Sequence, residues 1–279
     1  MKIYRYNYEN KTEIGIEDNN KIIKLNGYNN IVEMIENGYN NSKKIEDLIS
    51  EEFREFDSIN ILSPIERPIH DIICVGKNYA DHISELGGEI TSEFIPNYFG
   101  KRANRILGHD DTIKGIFDID NEMDYEVELA VIISKDCKNI KKEDYRNYVF
   151  GFSIFNDISS RYLQGYHKQW YRGKSVDNYS VLGPCIVTID EFEFPLSLNL
   201  ETFVNGELRQ SSNTNKMIFK IEDIIEDLSR TMTLEPGDII ATGTPSGVGK
   251  AYNPPKYLVA NDTVELRIEK IGILKNKIQ

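Results

Sequence analysis

Glu126 and Glu128 bracket a single valine in the apolar run YEVELAVIIS, residues 125–134. In a strand, side chains at i and i+2 share a face. The two carboxylates therefore face one way, while Val127, Leu129 and Val131 face the other. Neighbouring carboxylates repel when ionised and raise each other's pKa unless a cation neutralises them. An oxygen-ligating divalent cation such as Mg2+ or Mn2+ does that, although a solvated strand face is the commoner use of a Glu-x-Glu spacing. Asp157 adds weight to the metal reading. It ends the apolar stretch GFSIF among small polar residues, where a third ligand would sit. Its alternative employment is as N-cap of a helix over 159–167, which Ser159 can also supply. Three carboxylates and about two or three waters make an octahedral site in which substrate can replace water.

His82 and Glu85 stand three residues apart in NYADHISE, residues 78–85. On a helical turn that spacing puts them on one face, and a His hydrogen-bonded to a carboxylate is a common construction for a general base. They follow VGKNY, a strand end running into a glycine turn, a usual place for site residues. The stretch QWYRGKSVD, residues 169–177, holds Arg172, Lys174 and the single Trp. Such cations can clamp a carboxylate, or simply decorate a surface loop. Arg161 and Gln164 lie one turn apart just before it. The segment PGDIIATGTPSG, 236–247, reads as turn, strand and Gly-rich loop. Its backbone N–H groups can form an anion nest, but it matches neither a P-loop nor a dinucleotide fingerprint.

The elements that must position these residues are mostly strands. KIYRYNY, TEIGIED and KIIKLNG form a small meander at the amino end. Residues 42–55 place Ile45, Leu48, Ile49 and Phe53 at helical spacing, which predicts a short amphipathic helix. The linker SPIERPIH, with Pro64 and Pro68, sets a boundary near residues 60–70, giving a small amino-terminal domain over 1–65 and a second domain over 66–279. In the second domain strands are expected over 71–76, 125–134, 149–159, 180–189, 199–205, 237–242 and 263–274, with helices over 79–86, 160–167 and 219–232. Strands and helices do not alternate, which argues against a doubly wound parallel sheet and for an α+β, mainly β roll or barrel.

Composition narrows the function classes. Among 279 residues, 33 Lys plus Arg against 45 Asp plus Glu give a formal charge of −12. That balance opposes a surface made for nucleic acid or an anionic membrane. The chain lacks an apolar run near the roughly 18 to 20 residues of a membrane span, and MKIYRYNYENK is not a secretory signal. Cys74, Cys137 and Cys185 form neither a CxxC pair nor a disulfide framework. A cytoplasmic protein with a small-molecule substrate is expected, with no nucleic-acid or membrane partner.

Taken together the motifs resemble the fumarylacetoacetate hydrolase superfamily over about the last three quarters of the chain. The matching segments are VGKNYADHISE (75–85), YEVEL (125–129), NDISSRYLQ (156–164), QWYRGKSVD (169–177), VNGELRQ (204–210) and PGDIIATGTPSGVG (236–249), in the family's order. The resemblance implies a mixed β-roll core behind a small amino-terminal domain, assembled as a homodimer. It implies Mg2+ or Mn2+ on Glu126, Glu128 and Asp157, with His82 and Glu85 on a segment that closes over the substrate. Lys174 would contact the metal-bound substrate or help activate water, and Thr244 would bind the substrate carboxylate. Arg161 and Gln164 would shape the distal pocket, and Lys101 resembles a family F-x-K residue on the substrate side. The implied substrate is a small 2-oxo acid of acylpyruvate or oxaloacetate type, handled through a metal-stabilised enolate. C–C bond hydrolysis or decarboxylation is the leading outcome. Isomerisation or tautomerisation of a 2-hydroxy-dienoate or of oxaloacetate is the alternative, and a non-catalytic metal- or ligand-binding relative is a third reading. Arg102–Arg105 and Tyr162 depart from the family pattern, which leaves the substrate open.

Overall fold

The structure is a computed structural model that describes residues 1–91 and 93–279. Its main sheet, eleven-stranded among the described residues, runs Ile49–Glu55, Lys21–Leu25, Lys11–Asp18, Lys2–Tyr8, Ser180–Thr188, Val149–Asp157, Val127–Ile133, Ile239–Ala241, Ile72–Gly76 and Asn97–Lys101, with Asn60–Leu62 also on Lys2–Tyr8. A five-stranded sheet carries Glu207–Asn213, Asn199–Val204, Thr263–Ile268, Gly272–Ile278 and Thr112–Ile113. Most pairings are antiparallel. Ile239–Ala241 runs parallel to Ile72–Gly76, and Gly272–Ile278 parallel to Thr112–Ile113. The mainly β, few-helix architecture is the one expected.

The strand Val127–Ile133 is buried along its whole length, because the sheet is covered on both faces. Val127, Leu129, Val131 and Ile133 pack in one cluster with Leu200, Val264, Leu266 and Leu274 of the smaller sheet and with Ile221, Ile224, Ile225 and Leu228 of the helix Ile221–Thr231. Ala130 and Ile132 enter a second cluster with Ile3, Ile14, Ile31 and Ile35 from the amino-terminal region. The alternation read from the sequence is real, but both faces are dry, so a solvated face is not available to Glu126 and Glu128.

Residues 1–65 form a meander with the helix Ile31–Glu36, capped by Asn30, whose side chain accepts from the Val32 N–H at 2.9 Å. Lys2 and Ile3 pair with Val187 and Ile186, so this unit is hydrogen-bonded into the main sheet. The helix expected over 42–55 is realised only at Ser42–Ile45, followed by a 3-10 turn at Glu46–Leu48. Ile49–Glu55 is instead an edge strand on Lys21–Leu25. Tertiary pairing overrides the helical pattern here: as a strand, Glu52 lies 3.4 Å from Lys24, and Arg54 reaches Glu13 at 3.2 Å. The long strand expected over 263–274 is a hairpin, Thr263–Ile268 and Gly272–Ile278. The helices over 79–86 and 160–167 are present as Ala80–Glu85 and Arg161–His167, and Ser160, rather than Ser159 or Asp157, caps the latter.

Candidate active site and metal centre

The register of two neighbouring strands builds the acidic cluster. Val127 pairs with Asn156 and Glu128 with Phe155, and the Asp157 N–H donates to Glu126 O at 3.0 Å. Glu126 and Asp157 are therefore cross-strand neighbours, whose side chains point to the same face, and Glu128 joins them two residues along. Glu126, Glu128 and Asp157 offer oxygens that all lie within 4.8 Å of one another, and all three residues are buried.

Three carboxylates this close need cations, and the fold supplies some of them. Lys174 Nζ lies 2.6 Å from Glu126 Oε2 and 2.5 Å from Asp157 Oδ2. Lys101 Nζ, wholly buried, donates to Asp157 Oδ1 at 2.6 Å and to the carbonyls of Ile158 and Tyr179 at 2.9 and 2.7 Å. Arg161 pairs through Nη2 with Glu126 Oε1 at 2.7 Å and through Nε with Asp124 Oδ2 at 2.9 Å. Burial alone would raise the Glu126 carboxyl, but Lys174, Arg161 and His82 outweigh it and hold it at about 2. Glu128 goes the other way. Burial and the charges of Asp157 and Glu126 push its carboxyl well above the usual range, and the Gly243 N–H on Oε2 at 2.8 Å compensates only in part. Four buried carboxylates, Asp124 included, thus face three buried cations. The unneutralised member, Glu128, completes a hard, all-oxygen donor set of the kind Mg2+ and Mn2+ take. The residues fit a divalent cation.

The other wall is the short helix Ala80–Glu85. His82 Nδ1 lies 2.6 Å from Glu85 Oε1, and Glu85 Oε2 accepts the Gly247 N–H at 2.7 Å. Glu85 thus orients the ring and ties the helix to the Gly-rich loop, leaving Nε2 as the imidazole nitrogen available to a ligand. His82, Glu126, Glu128, Arg161, Gln164, Lys174 and Thr244 line one pocket of about 110 Å³, closed by Phe99 and Trp170. That is below the several hundred cubic ångströms of drug-sized sites and suits a small acid. The pocket depends on two glycines. A Cβ on Gly76 would sit 2.3 Å from the Trp170 ring, and Gly243 (φ +98) would place one 2.7 Å from Val75 O.

Of the residues singled out from the sequence, Lys101 is the one the structure moves. The expectation put it on the substrate side, but it has no exposed surface and sits behind Asp157, where burial lowers its pKa. Lys174 is on a short helix, Trp170–Lys174, not in a surface loop. Arg161 and Gln164 touch each other at 3.2 Å and line the pocket, though most of the guanidinium is engaged by Asp124 and Glu126. Thr244 Oγ1 accepts from Gln210 Nε2 at 2.9 Å.

Two structural roles escaped the sequence reading. Asp124 accepts from Arg161 Nε, from the Gly249 N–H at 2.7 Å and from the Lys250 N–H at 3.1 Å, which joins the arginine to the closing loop. Gln210 bridges the smaller sheet to the site through Val127 N at 3.1 Å, Thr244 Oγ1 and Pro245 O. The adjacency of Asp124 to YEVEL and the terminal place of Gln210 in VNGELRQ are the only local signals for either.

Known proteins resemble the chain in both sequence and fold. Residues 71–279 match the family model described as fumarylacetoacetate (FAA) hydrolase, C-terminal. The chain is 45% identical over 237 residues to the oxaloacetate tautomerase YisK of Bacillus subtilis (strain 168), covering 85% of this chain and 79% of that protein. Its fold is similar to a fumarylacetoacetate hydrolase of Exiguobacterium antarcticum, with TM-score 0.88, 37% identity and coverage of 100% and 99% of the two chains. It is also similar to a maleylpyruvate hydrolase of Sphingobium sp. SYK-6 in complex with manganese(II) and pyruvate, with TM-score 0.79, 25% identity and coverage of 100% and 98%.

Proposed function

From the premise that the chain belongs to the fumarylacetoacetate hydrolase family, we propose that it is a divalent-metal-dependent enzyme of small 2-oxo acids, moving a proton between the carbon next to the 2-oxo group and an oxygen. The observation that supports this most is that His82, hydrogen-bonded to Glu85, lines one small pocket with Glu126 and Glu128, and that Asp157 offers an oxygen within 4.8 Å of both glutamates. A divalent cation held by Glu126, Glu128 and Asp157 would act as Lewis acid towards the 2-oxo acid head and stabilise enolate charge. His82 Nε2 takes the proton from carbon or returns it there, and Glu85 fixes the ring and balances the imidazolium. Lys174 and the Thr244 hydroxyl bind the carboxylate head. Arg161 holds Glu126 in place, with Gln164 beside it, and Lys101 holds Asp157.

Tautomerisation of an oxaloacetate-type acid is the first reading, supported by the 45% identity to an oxaloacetate tautomerase. C–C bond hydrolysis or decarboxylation, which led the sequence reading, is now second, supported by the fold similarity to the two hydrolases. Mg2+ as resident cation, with Mn2+ as its substitute, a homodimer, an amino-terminal domain over 1–65 and a cytoplasmic setting belong to the same reading. Three buried free cysteines are consistent with a reducing compartment. Among the described residues no helix is long and apolar enough to cross a membrane.

The test is to follow oxaloacetate, acetylpyruvate and fumarylpyruvate with metal-reconstituted protein, by ultraviolet change of the enol and by separate detection of carbon products. Faster keto–enol interconversion without carbon products supports tautomerisation. Pyruvate with CO2, or pyruvate with a carboxylic acid, moves the assignment to decarboxylation or hydrolysis. No change on any substrate with metal bound refutes the proposal.

A further inference from the structure

The helix Ala80–Glu85, which carries His82 and Glu85, is too short to hold itself in place. Ile83 is buried, and Asp81 meets Lys216 at 3.7 Å in an exposed pair of a kind that contributes little. The inward polar tie of the helix is Glu85 Oε2 on the Gly247 N–H, at 2.7 Å. Gly247 therefore sets where Glu85 rests, and Gly247 is itself held from two sides. With φ +101 and no Cβ, it lies flat against the strand Glu207–Asn213, where a Cβ would overlap Arg209 O. On the other side its carbonyl accepts the Tyr125 hydroxyl at 3.0 Å. Tyr125 has no exposed surface and immediately precedes Glu126. Glu126 lines the pocket, whereas Tyr125 is packed behind it in the core. One chain of hydrogen bonds thus runs from the edge of the carboxylate floor to the imidazole, through Tyr125, Gly247, Glu85 and His82 Nδ1.

We infer that Tyr125 is a positioning residue for the His82–Glu85 pair, acting through Gly247 to fix the imidazole in the pocket it shares with Glu126 and Glu128. Its role in the reaction rests on the reading of His82 as the proton-transferring group; its role as anchor of the helix does not. Without the hydroxyl, the Gly247 carbonyl loses its donor, the loop is held from one side only, and Glu85 rests on a looser support. One such hydrogen bond shifts an opening equilibrium by about fivefold.

Hydrogen exchange read by mass spectrometry tests this on the full chain. The variant is Tyr125→Phe, which removes the hydroxyl and keeps the buried ring. The amides of Ile83 to Gly88 should exchange at least about threefold faster than in wild type, while those of Val127–Ile133 keep their rate. In a Glu85→Ala background, where the tie is already gone, Tyr125→Phe should add nothing, because both act through one chain. Calorimetry should return the wild-type affinity for Mn2+. On oxaloacetate, kcat should fall by about threefold to tenfold with KM nearly unchanged. Unchanged exchange at Ile83 to Gly88, an acceleration spread equally over Val127–Ile133, an additive effect in Glu85→Ala, or an unchanged kcat would overturn the inference. If the wild-type protein turns over no 2-oxo acid, the 2-oxo acid reading fails, and the exchange pattern alone then decides whether Tyr125 anchors the helix.

Discussion

The floor and the roof of the pocket are built on opposite principles. The floor carries Glu126, Glu128 and Asp157 at adjoining strand ends deep in the main sheet, and Lys101, Lys174 and Arg161 engage Asp157 and Glu126. The roof carries His82 and Glu85 on a helix of six residues, too short to be stable by itself. Buried Ile83 and the Glu85–Gly247 hydrogen bond hold it, and the next residue, Leu86, is exposed. The difference teaches where each task can be done. Charges that must stay close despite repulsion need a scaffold that cannot relax, and strand register supplies it. A group that must meet a substrate and release it is better placed on an element held by a few bonds.

The comparison can be broken at several strengths. The largest effect is expected from Glu126→Ala with Asp157→Ala, which should abolish divalent-cation binding in calorimetry. Glu128→Gln, which preserves shape, should weaken it at least about tenfold by removing one charged ligand. Unchanged affinity in both would dismiss the floor as a metal centre. Next comes Lys101→Met, which leaves Asp157 to Lys174 alone and the buried carbonyls of Ile158 and Tyr179 without their donor, and should cost about 3–5 kcal/mol in urea unfolding. A loss below about 1 kcal/mol would mean the pair is not the structural clamp described.

His82→Ala should behave differently, keeping metal affinity and thermal stability while losing at least about a hundredfold in rate. A near-wild-type rate would transfer the base to another group. The smallest effect concerns protons. Burial and its two acidic neighbours raise the Glu128 carboxyl, so the metal-free protein retains a proton there that a cation must displace. Affinity for Mg2+ should therefore rise with pH and level off above the raised pKa. Calorimetry in buffers of different ionisation enthalpy should record a fraction of a proton released per ion. Binding independent of pH between about 5 and 8 would show that Glu128 is ionised beforehand.

Much of the floor was legible because its signal is local. Alternation of Glu126, Val127 and Glu128 is a two-residue period, and His82 with Glu85 is a three-residue one, so each follows from backbone geometry. The error over residues 49–55 shows the limit of such signals. Ile45, Leu48, Ile49 and Phe53 do repeat at helical spacing, yet Ile49 and Phe53 end up 40% and 49% exposed on an edge strand. There, pairing with Lys21–Leu25 and the cross-strand charges decide the conformation. Propensity over a few residues is weaker than a ladder of backbone hydrogen bonds.

By itself, the sequence determined the residue types, their short-range spacing and, through the ordered motifs, the kind of active site to expect. Tertiary structure alone decided that Asp157 lies across from Glu126, that Lys101 is buried behind Asp157, and that Asp124 and Gln210 tie distant loops to the pocket. The physical reason is common to all of these. Register, burial and charge pairing join residues far apart in the chain, such as Lys101 with Asp157 or Asp124 with Gly249, and no local period encodes a partner that only the folded sheet brings within hydrogen-bonding distance.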